Sequence, residues 1–194
     1  MALKPAIFLD KDGTVLLDIP YNVDPQQMQF APGAREGLAR LAQLPVPLFV
    51  ITNQPGIALG KFCLDDLEDV QLELQRMFEQ VGANLAGLYF CPHHPDGSLV
   101  QYACECLCRK PEPGLLFEAA KQHDIDLTRS WLVGDILNDI EAGRRAGCQT
   151  VLIDNGNETE WLLNDNRIPH YRVADLAEAS RLLLAKCTPE EACT

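Results

Sequence analysis

The sequence predicts a three-layer α/β domain built on a doubly wound parallel sheet. Short apolar runs recur along the chain, each unbroken rather than alternating with polar residues, as in strands buried on both faces. Segments with helical spacing separate them, the pattern of βαβ units. Polar residues gather where the runs end, at Asp10 and Asp12, Thr52 and Asn53, and Asp135. Ligands of doubly wound sheets bind beyond such carboxyl ends.

The elements follow in order. Ala6-Ile7-Phe8-Leu9 is the first strand and ends at Asp10. Pro32-Gly33-Ala34-Arg35 opens a helix whose inward positions are Leu38, Leu41 and Ala42. Val46-Pro47-Leu48-Phe49-Val50-Ile51 is the second strand and ends at Thr52. Leu64-Asp65-Asp66-Leu67 opens a longer helix through Val70, Leu74, Met77 and Val81. Gly87-Leu88-Tyr89-Phe90 is the third strand and ends at Cys91. The next helix begins near Pro113 and turns Leu116, Phe117, Ala120 and Ile125 inward. Trp131-Leu132-Val133-Gly134 is the fourth strand, ending at Asp135. A short helix spans Asn138 to Ala146, with Gly147 as its stop. Gln149 to Ile153 is the fifth strand, and a last helix runs from about Leu176 to Leu184. The chain carries no repeat, low-complexity tract or interdomain linker. It therefore reads as one domain over 1–186 with a polar tail, 187–194, expected to fray.

A chain of 194 residues suits one such domain and buries about 70% of its unfolded surface, so its core needs no disulfide support. Its formal net charge of −12 repels nucleic acid and anionic membrane surfaces, and no Lys/Arg run offsets that. Met1 to Pro5 leads straight into a strand without the apolar run and cleavage site of a signal peptide. The apolar runs are far shorter than a membrane span. The expectation is a cytoplasmic protein with no nucleic-acid or membrane partner and, lacking an obvious apolar stripe, a monomer.

Asp10 and Asp12, two residues apart beyond the first strand, can share the work of one reaction, the first attacking and the second handling the proton. Aspartate is an established nucleophile toward phosphoryl groups. A carboxylate about 4 Å from a phosphate dianion feels roughly 8 kcal/mol of repulsion at an effective dielectric of about 20, so cations must be close. Asp10 and Asp135, with a backbone carbonyl near Asp12, offer hard oxygen ligands for Mg²⁺. Lys110 supplies a further positive charge. Thr52 and the amides after it can donate to phosphoryl oxygens. The plain alternative is a pair of aspartates capping a turn, for which Gly13 and Thr14 are equally suited.

These segments resemble the haloacid dehalogenase superfamily of phosphatases. Asp10-Lys11-Asp12-Gly13-Thr14 matches its first motif and Ile51-Thr52-Asn53-Gln54 its second. Arg109-Lys110-Pro111 carries the third motif's lysine, and Gly134-Asp135-Ile136-Leu137-Asn138-Asp139 matches the fourth. The resemblance implies a Rossmann-like phosphatase fold. In it Asp10 is nucleophile, Asp12 general acid/base, Thr52 and Lys110 phosphate stabilisers, and Asp10, Asp12 and Asp135 the Mg²⁺ site. Asp139 would either support the metal site from behind or start the helix. No large cap insertion interrupts the motifs.

Eight cysteines are many for a cytoplasmic chain. Cys63, Cys148, Cys187 and Cys193 are scattered and read as inert apolar residues or free thiols. Cys91-Pro92-His93-His94 and Cys104-Glu105-Cys106-Leu107-Cys108 form two groups about a dozen residues apart, suited to tetrahedral zinc. A closed set of four protein ligands implies a structural ion that orders a loop with little to bury. Spacing alone leaves the choice of four open, because Cys104 with Cys106 fits as well as Cys106 with Cys108.

The pattern resembles the bacterial heptose bisphosphate phosphatases, which carry C-x-H and then C-x-C directly before R-K-P. That resemblance assigns Zn²⁺ to Cys91, His93, Cys106 and Cys108 and leaves Cys104 over. It also implies a small phosphorylated sugar as substrate and a step in making heptose precursors of lipopolysaccharide. Substrate contacts would fall on Asp18, Tyr21, Thr52, Asn53, Gln54, Arg109 and Lys110. Histidinol-phosphate phosphatase shares the motifs and is the nearest rival, though its zinc loop is usually shorter than Pro95 to Ala103 allows. A zinc-binding interaction module on the same scaffold would be the non-enzymatic alternative.

Overall fold

The computed structural model describes residues 3–187. Its six strands form one parallel sheet: β1 (Ile7–Leu9), β2 (Leu48–Asn53), β3 (Leu85–Cys91), β4 (Trp131–Gly134), β5 (Gln149–Ile153) and β6 (Tyr171–Val173), in the order β3-β2-β1-β4-β5-β6. The helices are α1 (Ala34–Leu41), α2 (Asp66–Gln80), α3 (Gly114–His123), α4 (Leu137–Ala146) and α5 (Leu176–Lys186). The order reverses between β1 and β4, the place where a doubly wound sheet opens a crevice for ligands.

Side chains alternate across the sheet, which produces the three layers. Ile7, Leu9, Val50, Val133 and Val151 face one way and pack on Leu38 and Leu41 of α1, Leu74 and Phe78 of α2, and Leu176 and Leu183 of α5. Phe8, Phe49, Ile51 and Leu132 face the other way and meet Leu115, Leu116 and Ala119 of α3 and Ala142 and Ala146 of α4. Phe8 and Phe49, on neighbouring strands, stack with centroids 5.4 Å apart. Leu152 continues that layer against Leu137 and Ile140 of α4.

The structure corrects three expectations. A sixth strand, β6, pairs with β5. Its three residues are too few for a periodic signal, and as an edge strand it is half exposed. Phe117 is half exposed at 50%, and its neighbours Leu115 and Leu116 do the packing. Ala42 is exposed, because α1 ends at Leu41 and the chain turns away. Ala120 and Val81 are partly buried, and Ile125 is buried beyond the end of α3. Of the expected tail, all but Cys187 lies outside the described residues, as does Cys193. Among the described residues no cap domain interrupts the fold. No described helix is long and apolar enough to cross a membrane.

Candidate active site

Asp10 leaves β1 beside β4, its backbone N–H still bonded to Val133 O at 2.9 Å. Asp135 follows β4, so these two carboxylates flank the switch point. Lys110 reaches in from the loop before α3 and is 3% exposed. Its ammonium contacts Asp10 Oδ1, stands 2.5 Å from Asp139 Oδ1 and donates to Ile51 O at 3.2 Å. Its main chain is gripped by Asn53 at the end of β2. Asn53 Nδ2 donates to Lys110 O at 3.0 Å, and Lys110 N donates to Asn53 Oδ1 at 2.9 Å. A residue 57 positions away in sequence is thus aimed by the strand end beside it.

Asp139 takes the expected place at the helix start and also faces Lys110. Its Oδ2 accepts the Ile136 N–H at 3.3 Å and starts α4, while its Oδ1 faces Lys110. Gly134 leaves the room: a Cβ there would run into the Asp139 carboxyl. Asp139 Oδ1 has no hydrogen bond of ordinary geometry besides that ion pair.

Asp12 turns aside from this group. Lys11 Nζ is 3.2 Å from its Oδ1, and Gln54 Nε2 donates to its Oδ2 at 3.3 Å. Gln54 also donates to Thr52 Oγ1 at 2.9 Å. Expected as substrate contacts, the Asn53 and Gln54 side chains are instead tied to Lys110, Thr52 and Asp12. Asp18 and Tyr21 lie exposed on the loop after β1, where Tyr21 adopts φ 58° and Lys61 Nζ stands 5.9 Å from its ring. Arg109 lines an open cleft of about 550 Å³ with Lys110, Glu105, Glu112 and Asn138.

The electrostatics are those of a crowded anionic site. Burial pushes Asp10 well above the usual carboxylate range; Lys110 opposes that shift, while Asp139, Asp135 and Asp12 reinforce it. Burial, then the neighbouring Asp139 carboxylate, pushes Asp135 up to about 6. Burial also raises Asp12, with Lys11 opposing and Asp18 adding to the rise. Burial alone would lower the Lys110 pKa, but Asp10 and Asp139 hold it above the usual lysine range. Carboxylate oxygens of Asp10, Asp135 and Asp139 lie within 4.8 Å of one another, three acids against one ammonium. That surplus of buried carboxylate fits a hard divalent cation.

The second metal-type group joins Cys91 at the end of β3 to His93, Cys106 and Cys108. The sulfurs are 3.2 to 3.5 Å apart, and His93 Nδ1 is 3.3 Å from Cys108 and 3.7 Å from Cys91. A tetrahedron with Zn–S bonds of about 2.3 Å has edges near 3.8 Å, so the four atoms fit Zn²⁺ closely. Cys104 is exposed and outside the group. Burial raises the Cys91 thiol and pushes Cys108 up to about 11. Such thiols need a cation beside them to ionise together.

Sequence reasoning passed over Asn155 and Asn157, which follow β5. Asn155 Nδ2 donates to Gly13 O at 2.8 Å and Asn157 Nδ2 to Asp135 Oδ2 at 2.6 Å. Their only signal was their place at a strand's carboxyl end.

Residues 107–179 match the Hydrolase_like family model of HAD-hydrolase-like proteins. The chain is 36% identical over 184 residues to the D-glycero-beta-D-manno-heptose-1,7-bisphosphate 7-phosphatase of Yersinia pestis, covering 90% of this chain and 94% of that one. It is 40% identical over 155 residues to the Photorhabdus laumondii enzyme of the same name, covering 78% of this chain and 81% of that one. Among solved structures it is similar to the D,D-heptose 1,7-bisphosphate phosphatase from B. bronchiseptica complexed with magnesium and phosphate. That match has a TM-score of 0.76 at 31% identity and covers 94% of this chain and 99% of the other.

Proposed function

The chain belongs to the HAD-like hydrolases, in the family of the heptose-1,7-bisphosphate 7-phosphatases, and from that premise we propose that it removes the 7-phosphate of D-glycero-D-manno-heptose 1,7-bisphosphate through a covalent intermediate on Asp10. The reaction class is carried by one observation: Lys110, clamped by Asn53, binds Asp10 and Asp139 opposite Asp135 at the sheet's switch point. The substrate is supported by the identity to relatives of that name over nine-tenths of the chain.

In the first half-reaction an oxygen of Asp10 attacks phosphorus, and the bond to the sugar oxygen breaks. That oxygen takes its proton from Asp12, which Lys11 and Gln54 hold in place. In the second, water attacks the aspartyl-phosphate and gives its proton to Asp12, and phosphate leaves. The Thr52 hydroxyl accepts a hydrogen bond from Gln54 at 2.9 Å and donates only a long one, 3.4 Å, to Asn53 O, which a phosphoryl oxygen can displace. The Lys110 ammonium stabilises the charge gathering there. Asp10 and Asp135, with the Asp12 carbonyl, would hold Mg²⁺, which when bound offsets the repulsion between Asp10 and the phosphate. Cys91, His93, Cys106 and Cys108 would hold a structural Zn²⁺ directly before Arg109. Arg109, which lines the open cleft, and Asp18 and Tyr21, exposed on the loop after β1, are assigned to the sugar and its second phosphate. The partner is thus a small phosphorylated sugar, and the setting a cytoplasmic biosynthetic one.

Turnover of heptose bisphosphate and of histidinol phosphate should be measured side by side with Mg²⁺. Faster cleavage of the heptose substrate is expected, and faster cleavage of histidinol phosphate would overturn the substrate assignment. Asp10→Asn should fold normally and lose at least about four orders of magnitude in turnover. Appreciable activity in that variant would defeat the covalent route.

A further inference from the structure

The loop after β5 grips the segment that carries Asp135 at several points. Asn157 Nδ2 donates to Asp135 Oδ2 at 2.6 Å. Glu158 Oε2 accepts the Leu137 N–H at 2.6 Å, in the first turn of α4. The Ile136 side chain at the N-cap position makes no such bond, so this donor is satisfied from outside the helix. Arg167 Nη2 donates to Asn138 Oδ1 at 2.6 Å, and its Nε donates to Glu141 Oε2, also at 2.6 Å. From the same loop Asn155 Nδ2 reaches Gly13 O, and Asn155 Oδ1 accepts the Asn157 N–H at 3.0 Å. The packing is close: a Cβ on Gly13 would strike both the Asp135 carboxylate and the Asn157 amide.

The bond from Asn157 fixes the plane of the Asp135 carboxylate. Oδ2 is occupied by the amide. Oδ1 accepts a long bond from the Thr14 hydroxyl, at 3.5 Å, and is the oxygen left for a cation, with Asn155 also beside this carboxylate. An amide donor holding a ligating carboxylate removes the rotamer freedom that binding would otherwise have to remove. The loop that supplies it is anchored on both motifs that frame the site, at Gly13 and along the start of α4. We infer that Asn157 is a positioning residue for the divalent-cation site, setting the affinity of Asp135 for the ion by anchoring Oδ2. The inference rests on the reading of Asp10 and Asp135 as cation ligands.

The test is calorimetric titration of metal-free protein with MgCl₂, with thermal unfolding measured in parallel. Asn157→Ala is expected to raise the Kd for Mg²⁺ roughly 10- to 100-fold, the usual effect of losing an outer partner of a metal ligand. A lowered Tm with an unchanged Kd would mean that Asn157 only ties down a loop, and would overturn the inference. If the alanine variant loses its helical circular dichroism, Asn157→Leu, which keeps the bulk without the donor, must show the same rise in Kd. Asp135→Asn separates the role of the ligand from that of its anchor. Mg²⁺ binding that survives intact in that variant defeats the ligand assignment itself. Loss of binding there, with normal binding in Asn157→Ala, defeats only the role of Asn157.

Discussion

Lys110 Nζ sits among Asp10, Asp139 and the Ile51 carbonyl, while Asn53 holds the Lys110 main chain from the next strand. Replacing it by methionine leaves two buried carboxylates facing each other without a cation. Breaking one side of a buried ion pair costs about 3–5 kcal/mol. Lys110→Met should therefore lower the unfolding free energy of the metal-free protein by that order, read as a lower urea midpoint, and added Mg²⁺ should restore part of the loss. Turnover should fall about 10²- to 10³-fold, as when one donor to a developing oxyanion is lost. An unchanged midpoint would mean the acids are not held against one another. Asp10, Asp12, Thr52, Lys110 and Asp135 were legible in the sequence because each ends or follows an apolar run or sits in a recognisable motif. The partners of Asn53 and Gln54 were not. An amide after a strand looks the same whether it meets a sugar or the main chain of a residue 57 positions away.

At the scale of elements, the turn after β1 depends on Gly13, whose φ is 82°. An added Cβ would meet Asp135 and Asn157, so Gly13→Ala should cost about 1–3 kcal/mol from backbone strain alone. It should also weaken Mg²⁺ binding, which titration calorimetry would detect. The junction of β5 with β6 carries a pH dependence independent of the metal site. His170 Nδ1 accepts the Thr150 N–H at 3.0 Å, and the Arg144 guanidinium stands 2.8 Å from Nε2. Burial, then the charge of Arg144, lowers the His170 pKa below its ordinary 6.5. The unfolded chain therefore takes up this proton at higher pH than the folded one. The stability involved is fully present above about pH 6.5 and is lost as pH falls through the lower, folded value. Tm measured from pH 8 to pH 5 should decline less steeply in His170→Gln than in the wild type; equal slopes would refute the linkage. No periodic signal marks β6, because three half-exposed residues at an edge create none and the strand exists only by pairing with β5.

The whole molecule joins two metal-type clusters through one short segment. The cysteine group ends at Cys108, immediately before Arg109 and Lys110, so an ion bound there would, by fixing the loop, also fix those two cations. Chelating zinc from the reduced protein should lower both Tm and turnover while the sheet stays folded. Full turnover by folded, zinc-free protein would sink this coupling. Cys108→Ser should lose bound zinc, whereas Cys104→Ser should retain it, as metal analysis can determine.

By itself the sequence determined the layered α/β architecture, the strand ends that carry Asp10, Thr52 and Asp135, and the cysteines and histidine suited to zinc. These are local properties, set by hydrophobic period and by residue type at a boundary. Tertiary structure decided the rest. It excluded Cys104, gave Asp139 a role at both the helix start and the lysine, turned Asn53 and Gln54 inward, and brought Asn157 to Asp135. Those outcomes depend on which strands lie side by side and how closely their loops approach, and no local periodicity encodes a contact made across the sheet.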